Sequence, residues 1–286
     1  MSALVPRLLV LGLLILAPLL APDSSVQAGQ TAEDLQSKLA GALDPTFGTG
    51  GTVVTPLPGS RDSARAMVIQ PDGKIVAGGF YSPPSSTDTN GQNPAIVRYN
   101  TDGSLDTAFG VNGLASLNFS PSQFSGFQVV AITALALQSD GSIIAGGLSL
   151  SPHNFQVFGL IRFNSSGVLD ASFGNQGLAF AAFNSLVSHL DSIVVQPDGE
   201  IIAAGGDFSA CSSGDFAVAR FTSAGALDTS FGAGGMITTD FFGLPDEAQA
   251  VAVQPDGRII AAGTATTGSG QALFALVRYN IDGSLD

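Results

Sequence analysis

The chain repeats itself at a long period. The string Gly-x-Leu-Asp-x-x-Phe-Gly-x-x-Gly runs from Gly41 to Gly51, Gly103 to Gly113, Gly167 to Gly177 and Gly225 to Gly235, and its start recurs at Gly283 to Asp286. Successive motif leucines, Leu43, Leu105, Leu169, Leu227 and Leu285, stand 62, 64, 58 and 58 residues apart. A unit of that length is a supersecondary element that buries its apolar surface mainly against its neighbours, so the chain must fold as an array.

Each unit holds four segments of strand character. The first is Ala64 to Gln70, matched by Ala131 to Gln138, Leu190 to Gln196 and Ala248 to Gln254. Bulky residues such as Met67, Ile69, Ile193 and Val195 alternate there with smaller apolar ones, which suits a strand buried on both faces. Pro71-Asp72-Gly73, Pro197-Asp198-Gly199 and Pro255-Asp256-Gly257, with the variant Ser139-Asp140-Gly141, then predict a three-residue hairpin. The second strand ends in paired small residues such as Gly78-Gly79 and Gly146-Gly147, a mark of close backbone approach. The third surrounds Arg98, Arg162, Arg220 and Arg278, and the fourth follows the closing glycine at Thr52 to Leu57, Leu114 to Phe119, Leu178 to Phe183 and Met236 to Phe241. Four antiparallel strands in about 60 residues describe a β-propeller blade.

Composition agrees with short strands and tight turns: 45% of the 286 residues are hydrophobic, 12% are charged and 36 are Gly. The net charge of −13 sets the chain against a nucleic-acid backbone and favours cations or basic partners. Arg7, the apolar run Leu8 to Ala21 and the small-x-small Val26-Gln27-Ala28 read as a secretory signal over residues 1–28, with the mature chain starting near Gly29 and no membrane span after cleavage. Residues 29–42 read as a short linker with some helical pattern, and 43–286 as the repeats, whose units start near 43, 105, 169 and 227, with a fifth beginning at 285. The single cysteine, Cys211, cannot form an internal disulfide, so this secreted, periplasmic or surface protein relies on packing.

The motifs Leu-Asp-x-x-Phe-Gly, Gln-Pro-Asp-Gly-x-Ile-x-Ala-Gly-Gly and Ile-Val-Arg-Tyr-Asn together resemble the delta-60 repeat of exported bacterial proteins, over roughly residues 41 to 286. The resemblance implies an extracytoplasmic, all-β propeller of four-stranded antiparallel blades, about four units long, and it implies no established reaction. The strand inventory is one orphan fourth strand (Thr52 to Leu57), three full blades and a last unit of three strands. The orphan either completes that last blade, closing a four-bladed ring, or belongs to an incomplete larger ring.

Gap lengths locate function. From the hairpin glutamine to the arginine the distance is 28 in the first unit and 24 in the others, and from leucine to glutamine it is 33 in the second and 27 elsewhere, whereas arginine to leucine is always 7. Insertions thus fall between strands two and three, or between strand four and the next strand one, and these connections share one edge of an up-and-down sheet. That variable edge is the expected binding face. It carries Asp62, Asp88, Asp191, Asp207, Asp215, Asp240, Asp246 and Glu247 as candidate ligand-binding groups, with His153, His189 and Cys211 beside them.

The opposite edge reads as structural. Arg98, Arg162, Arg220 and Arg278 each stand eight residues before an aspartate, and a bridge to Asp106, Asp170 or Asp228 that fixes the loop or joins blades is expected, with Asp44 the first aspartate of the series. Asn100-x-Asp102-Gly103-x-x-Asp106 resembles the later part of a calcium loop, but an arginine occupies the first ligand position and Asp102 becomes Ser166 and Ala224 in the middle units. No cofactor is expected, and calcium is the ion the pattern leaves open. Nucleophile-elbow, dinucleotide and P-loop motifs are missing, and two histidines cannot build a multi-histidine zinc site. The reading is an exported, non-catalytic binding or surface scaffold for an extracellular protein or glycan. The alternative is a metal-dependent propeller hydrolase or lyase using the carboxylates of the variable face.

Overall fold

A computed structural model describes residues 41–57, 61–82, 92–118, 126–183, 185–208 and 214–286. The expected signal and linker, Asp88 and Cys211 lie outside these residues. The chain divides into Met1–Asp44, described only from residue 41, and Pro45–Asp286, to which everything below refers. Among the described residues no helix is long and apolar enough to cross a membrane.

The fold is all-β. The first sheet is β1 (Asp62–Ile69), β2 (Ile75–Tyr81), β3 (Asn93–Tyr99) and β4 (Leu114–Ser116), antiparallel and in sequence order. The second is β5 (Gln128–Leu137), β6 (Ile143–Leu150), β7 (Gln156–Phe163) and β8 (Leu178–Ala181), and the third is β9 (Val187–Val195), β10 (Ile201–Phe208), β11 (Gly214–Phe221) and β12 (Met236–Thr239). The fourth has three strands, β13 (Asp246–Val253), β14 (Ile259–Thr266) and β15 (Ala272–Tyr279). A single parallel bridge, Gln156 to Val187, links the second sheet to the third. The first strands form a row in which β1 lies against β5, β5 against β9 and β9 against β13, and substantial packing links each sheet only to the next, so the ring is not closed.

Both faces of the middle sheets are buried, as the doubly apolar strands require. Ile201 and Ala203 face the second sheet with Phe158 and Leu160, whereas Ile202 and Ala204 face the fourth with Ala248 and Ala261. Burying an Ile or Phe contributes roughly 1.5–3 kcal/mol, and the alanines and glycines between them let the sheets approach closely.

The expected hairpin forms: Gln70 N donates to Lys74 O and Gly73 N to Gln70 O, both at 2.8 Å, with Gly73 left-handed at φ 83°. The calcium-like sequence makes the same turn, since Gly103 N donates to Asn100 O and Asp102 Oδ1 accepts from both the amide and the hydroxyl of Ser104. Thr52 to Leu57 departs from its expected strand character, and only Thr52 makes a bridge. A strand needs a partner edge, and the segment lies instead on the first sheet, where the Tyr99 hydroxyl donates to Thr55 Oγ1.

Two contacts recur at each joint between units. The loop glycine donates its amide to the next unit's turn: Gly110 to Ser166 O, Gly174 to Ala224 O and Gly232 to Asp282 O, at 2.7–2.8 Å. The third-strand arginine does more. Arg220 Nε donates to Asp228 Oδ2 at 2.7 Å, Nη1 donates to Ile281 O of the next unit at 2.6 Å, and the guanidinium lies over the Phe231 ring at 4.7 Å. Arg98 (with Asp106, Phe109 and Ser165 O) and Arg162 (with Asp170, Phe173 and Ser223 O) repeat the arrangement. The Lys74 ammonium, then Arg98, hold Asp106 below the usual carboxylate range. Arg278 binds Asp286 but is itself exposed.

Removing a well-paired buried charge strands its partner and costs about 3 kcal/mol or more, whereas an exposed pair contributes about 0–1 kcal/mol. Arg220→Ala should therefore lower the denaturant midpoint markedly while Arg278→Ala shifts it little, and equal effects would contradict the joint as described.

Candidate functional site

Strand direction gathers the variable edge. Strands one and three begin there and strands two and four end there, so His189 and Asp191 on β9, Asp207 on β10, Asp215 on β11, Asp240 after β12, and Asp246 and Glu247 on β13 come to one edge of the third and fourth sheets.

A backbone irregularity aims the central group. In each sheet the register between strands one and two skips a residue at one place, Arg65 in β1, Thr133 in β5, Asp191 in β9 and Gln249 in β13, and β5 skips Val130 as well. These four occupy the same repeat position, five residues before the hairpin glutamine. The extra residue of a β-bulge is freed from the ladder and re-aimed. The bulge also turns the carbonyl two residues earlier onto strand two. A Cβ at Gly79, Gly147, Gly205 or Gly263 would lie 1.8, 2.1, 1.8 or 1.9 Å from the oxygen of Ser63, Ala131, His189 or Glu247, so only glycine fits there. One glycine of strand two, Gly79, Gly147, Gly205 or Gly263, is thus tied to the bulge.

At the third bulge the chemistry is concentrated. Asp191 has a buried Oδ2 with no hydrogen-bond donor. Burial first, and the Glu247 carboxylate second, raise the Asp191 carboxyl to about 6. His189 stands two residues away, its Nε2 2.8 Å from Gln156 Oε1 and its Nδ1 3.9 Å from Glu247 Oε1. Three neighbouring units therefore supply the site: Gln156 from the second, His189 and Asp191 from the third, Glu247 from the fourth.

A second acidic group lies alongside. Asp207 is buried, accepts from Ser188 Oγ at 2.7 Å and pairs directly with Asp215 across β10 and β11. Burial first, then Asp240, Asp246 and Asp207, raise the Asp215 carboxyl. Asp246 has both oxygens engaged, Oδ2 by Phe241 N and Oδ1 by Thr266 N, so it clasps the connection into β13. Asp240 Oδ1 caps the same connection through Gly243 N. Among the described residues no three His, Cys, Asp or Glu side chains are arranged to hold a metal ion.

The β-propeller family described as "Domain of unknown function (DUF5122)" matches residues 70–109, 138–173, 196–231 and 254–286, together about half of the chain. The chain belongs to this family. No curated protein matches it in sequence. Among solved structures the DUF5122 chain is similar in fold to a protein of unknown function from Bacteroides caccae, at 9% identity and TM-score 0.44 over 82% of this chain and 68% of that one. It is also similar to a gluconolactonase from Xanthomonas campestris, at 14% identity and TM-score 0.36 over 77% and 59%. A third similarity is to an α-L-arabinofuranosidase from Clostridium thermocellum, at 12% identity and TM-score 0.39 over 80% and 72%. The chain thus spans less than two thirds of the gluconolactonase it resembles.

Of the acidic residues expected to bind ligand, the DUF5122 fold brings Asp191 to Glu247, and Asp207 to Asp215, Asp240 and Asp246. Asp62 belongs to the first sheet, away from both groups, and the ring of His153 lies against Phe155. Gln156 and Ser188 were not among the expected site residues. Both come from strand ends with no motif of their own, and only counting back from the repeated glutamine would have flagged the bulge.

A carboxyl whose folded value is raised binds its proton more tightly folded than unfolded, so its burial costs nothing at low pH and destabilises as pH rises from about 4 to about 6. Asp191→Asn should stabilise the fold by roughly 1–2 kcal/mol above pH 7, after allowance for solvent screening, and by nothing below pH 4. Unfolding curves at both pH values check this, and a pH-independent difference would contradict the assignment.

Proposed function

We infer that the protein is an exported, non-catalytic binding scaffold of the delta-60 type, and that its ligand docks at the variable edge where the third and fourth sheets meet. The chemistry favours a cationic group, a lysine or arginine from a basic segment of an extracellular protein. The observation that carries this reading is the buried, unpartnered Oδ2 of Asp191 near Glu247. Two acids held together without a compensating cation are poorly solvated, and a guanidinium or ammonium entering between them restores both charges. Gln156 and His189 border the pair and can position such a group through hydrogen bonds. The acidity of the whole chain draws basic partners to the surface, and the bulge supplies the specific contact.

The raised Asp191 carboxyl also favours a second reading. An acid that exchanges its proton near neutral pH suits general acid–base work, as the metal-dependent hydrolase or lyase alternative requires. One set of variants separates the two. Calorimetric titration of the protein with a lysine- and arginine-rich peptide should show binding that Asp191→Asn with Glu247→Gln weakens at least tenfold, about 1.4 kcal/mol, while Asp62→Asn changes nothing. Turnover of a lactone or glycan that vanishes in Asp191→Asn would replace this reading with the enzymatic one. Export is tested by fractionation, which should recover the chain in the periplasm or medium with a new N-terminus near Gly29.

A further inference from the structure

The acids Asp191 and Glu247 make only part of the groove between the third and fourth sheets. Residues two apart on a strand share a face, as do residues directly opposed on neighbouring strands. Ile202 and Ala204 of β10 face the fourth sheet, so Gly206 and Phe208 face it too, together with His189 and Gly214, their partners on β9 and β11.

The Phe208 ring is laid across this end of the sheet. A Cβ at Gly206 would strike its Cε2 and Cζ, and one at Gly214 its Cδ1 and Cε1, so glycine at both places makes room for the ring. The His189 imidazole packs against it, with ring centroids 5.4 Å apart. Glu247 reaches the same spot from the fourth sheet, its Cγ standing 3.2 Å from the Cβ position of Gly206. A carboxylate therefore lies beside an aromatic ring, near the unpartnered Oδ2 of Asp191.

Acceptors outnumber donors there. His189 Nε2 stands 2.8 Å from Gln156 Oε1, an oxygen that only accepts, so this nitrogen carries the proton of the neutral ring and Nδ1 keeps a lone pair. Nδ1 in turn lies 3.9 Å from Glu247 Oε1. With both acids ionised, Nδ1, Glu247 and Asp191 Oδ2 are three acceptors around one ring. The chain uses the same combination at its joints, where Arg98, Arg162 and Arg220 each pair with an aspartate while the guanidinium lies 4.4, 4.8 and 4.7 Å from the centre of a phenylalanine ring.

We propose that the groove selects a guanidinium over an ammonium: the basic segment docks here through an arginine whose plane lies on Phe208 while its N–H groups reach Glu247, Asp191 and His189 Nδ1. The proposal rests on the reading of this edge as a cation site and narrows that site to one side chain. A guanidinium laid on a ring keeps all five N–H groups in its own plane, directed at acceptors around the rim. An ammonium over the ring turns part of its three N–H bonds toward the ring, and it is the more strongly hydrated ion to bring into a half-buried groove. The side chains of His189 and Glu247 are 44% and 33% exposed, which leaves the groove open to an incoming arginine.

The test titrates the full chain calorimetrically, above neutral pH, with three acetylated and amidated Gly-Ser-X-Ser-Gly peptides in which X is arginine, lysine or the neutral isostere citrulline. The arginine peptide should bind about tenfold tighter than the lysine peptide, and the citrulline peptide should not bind. Phe208→Leu, which keeps an apolar side chain, should erase most of that preference. The wild-type chain decides even if this variant unfolds, because the arginine δ-protons should move upfield on binding, as protons above a ring face do. Equal affinity for arginine and lysine, both lost in Asp191→Asn with Glu247→Gln, overturns the selectivity and leaves the cation site standing. A preference that survives Phe208→Leu, or δ-protons that do not shift, also overturns it. Failure of both charged peptides to bind overturns the cation site itself, and this proposal with it.

Discussion

The array depends on one guanidinium per joint. In each complete joint the third-strand arginine grips the aspartate of its own loop, covers the following phenylalanine and reaches the backbone of the next unit. A buried charge is tolerated only when its hydrogen-bonding capacity is used, and here the sheet, loop and neighbour all share in using it. Lysine would not replace it, because a planar fork with several donors is needed to hold a carboxylate and a carbonyl at once while stacking on a ring. With one edge of every sheet held this way, the opposite edge is free to vary in length and chemistry.

The division into a constant and a variable edge was legible in the sequence because insertions leave the spacing of the constant motifs untouched. Strand order, hairpins and doubly buried faces follow from alternation and from Pro-Asp-Gly in the same way. The bulge was not legible, since a register skip is a relation between two strands and leaves only an indirect trace in the recurring glycine of strand two. Thr52 to Leu57 shows the converse: its alternation is that of a strand, but a strand is completed by an edge, and local sequence says nothing of whether that edge is present. The repeated Asn-x-Asp-Gly suggested calcium because hairpins and ion loops both need short acidic side chains and a left-handed glycine. In Asp102 the hairpin accounts for the side chain's contacts.

The candidate site occupies a position that the backbone keeps constant. The four bulges are alike, yet Arg65 stacks over Phe80, Thr133 donates to Leu190 O of the next unit, Gln249 is exposed, and Asp191 faces Glu247. The residues two places earlier, Ser63, Ala131, His189 and Glu247, vary as freely, although their carbonyls make the same approach to glycine. One backbone device therefore presents four different side-chain pairs, and among these four bulges it is at the third that His189 and Asp191 meet Glu247 of the adjacent unit. A repeat of this kind acquires a site by substitution at two positions in neighbouring units, with no new loop.

That site spans two sheets. His189 and Asp191 stand on the third sheet and Glu247 on the fourth, and among the described residues the joint between them runs through Arg220 and the strands β9, β10, β11 and β13. In a quasi-linear array stability is close to a sum of units and joints, so a site shared by two sheets depends on the joint between them. The distance between Asp191 and Glu247 is then governed by how firmly the fourth sheet is held against the third.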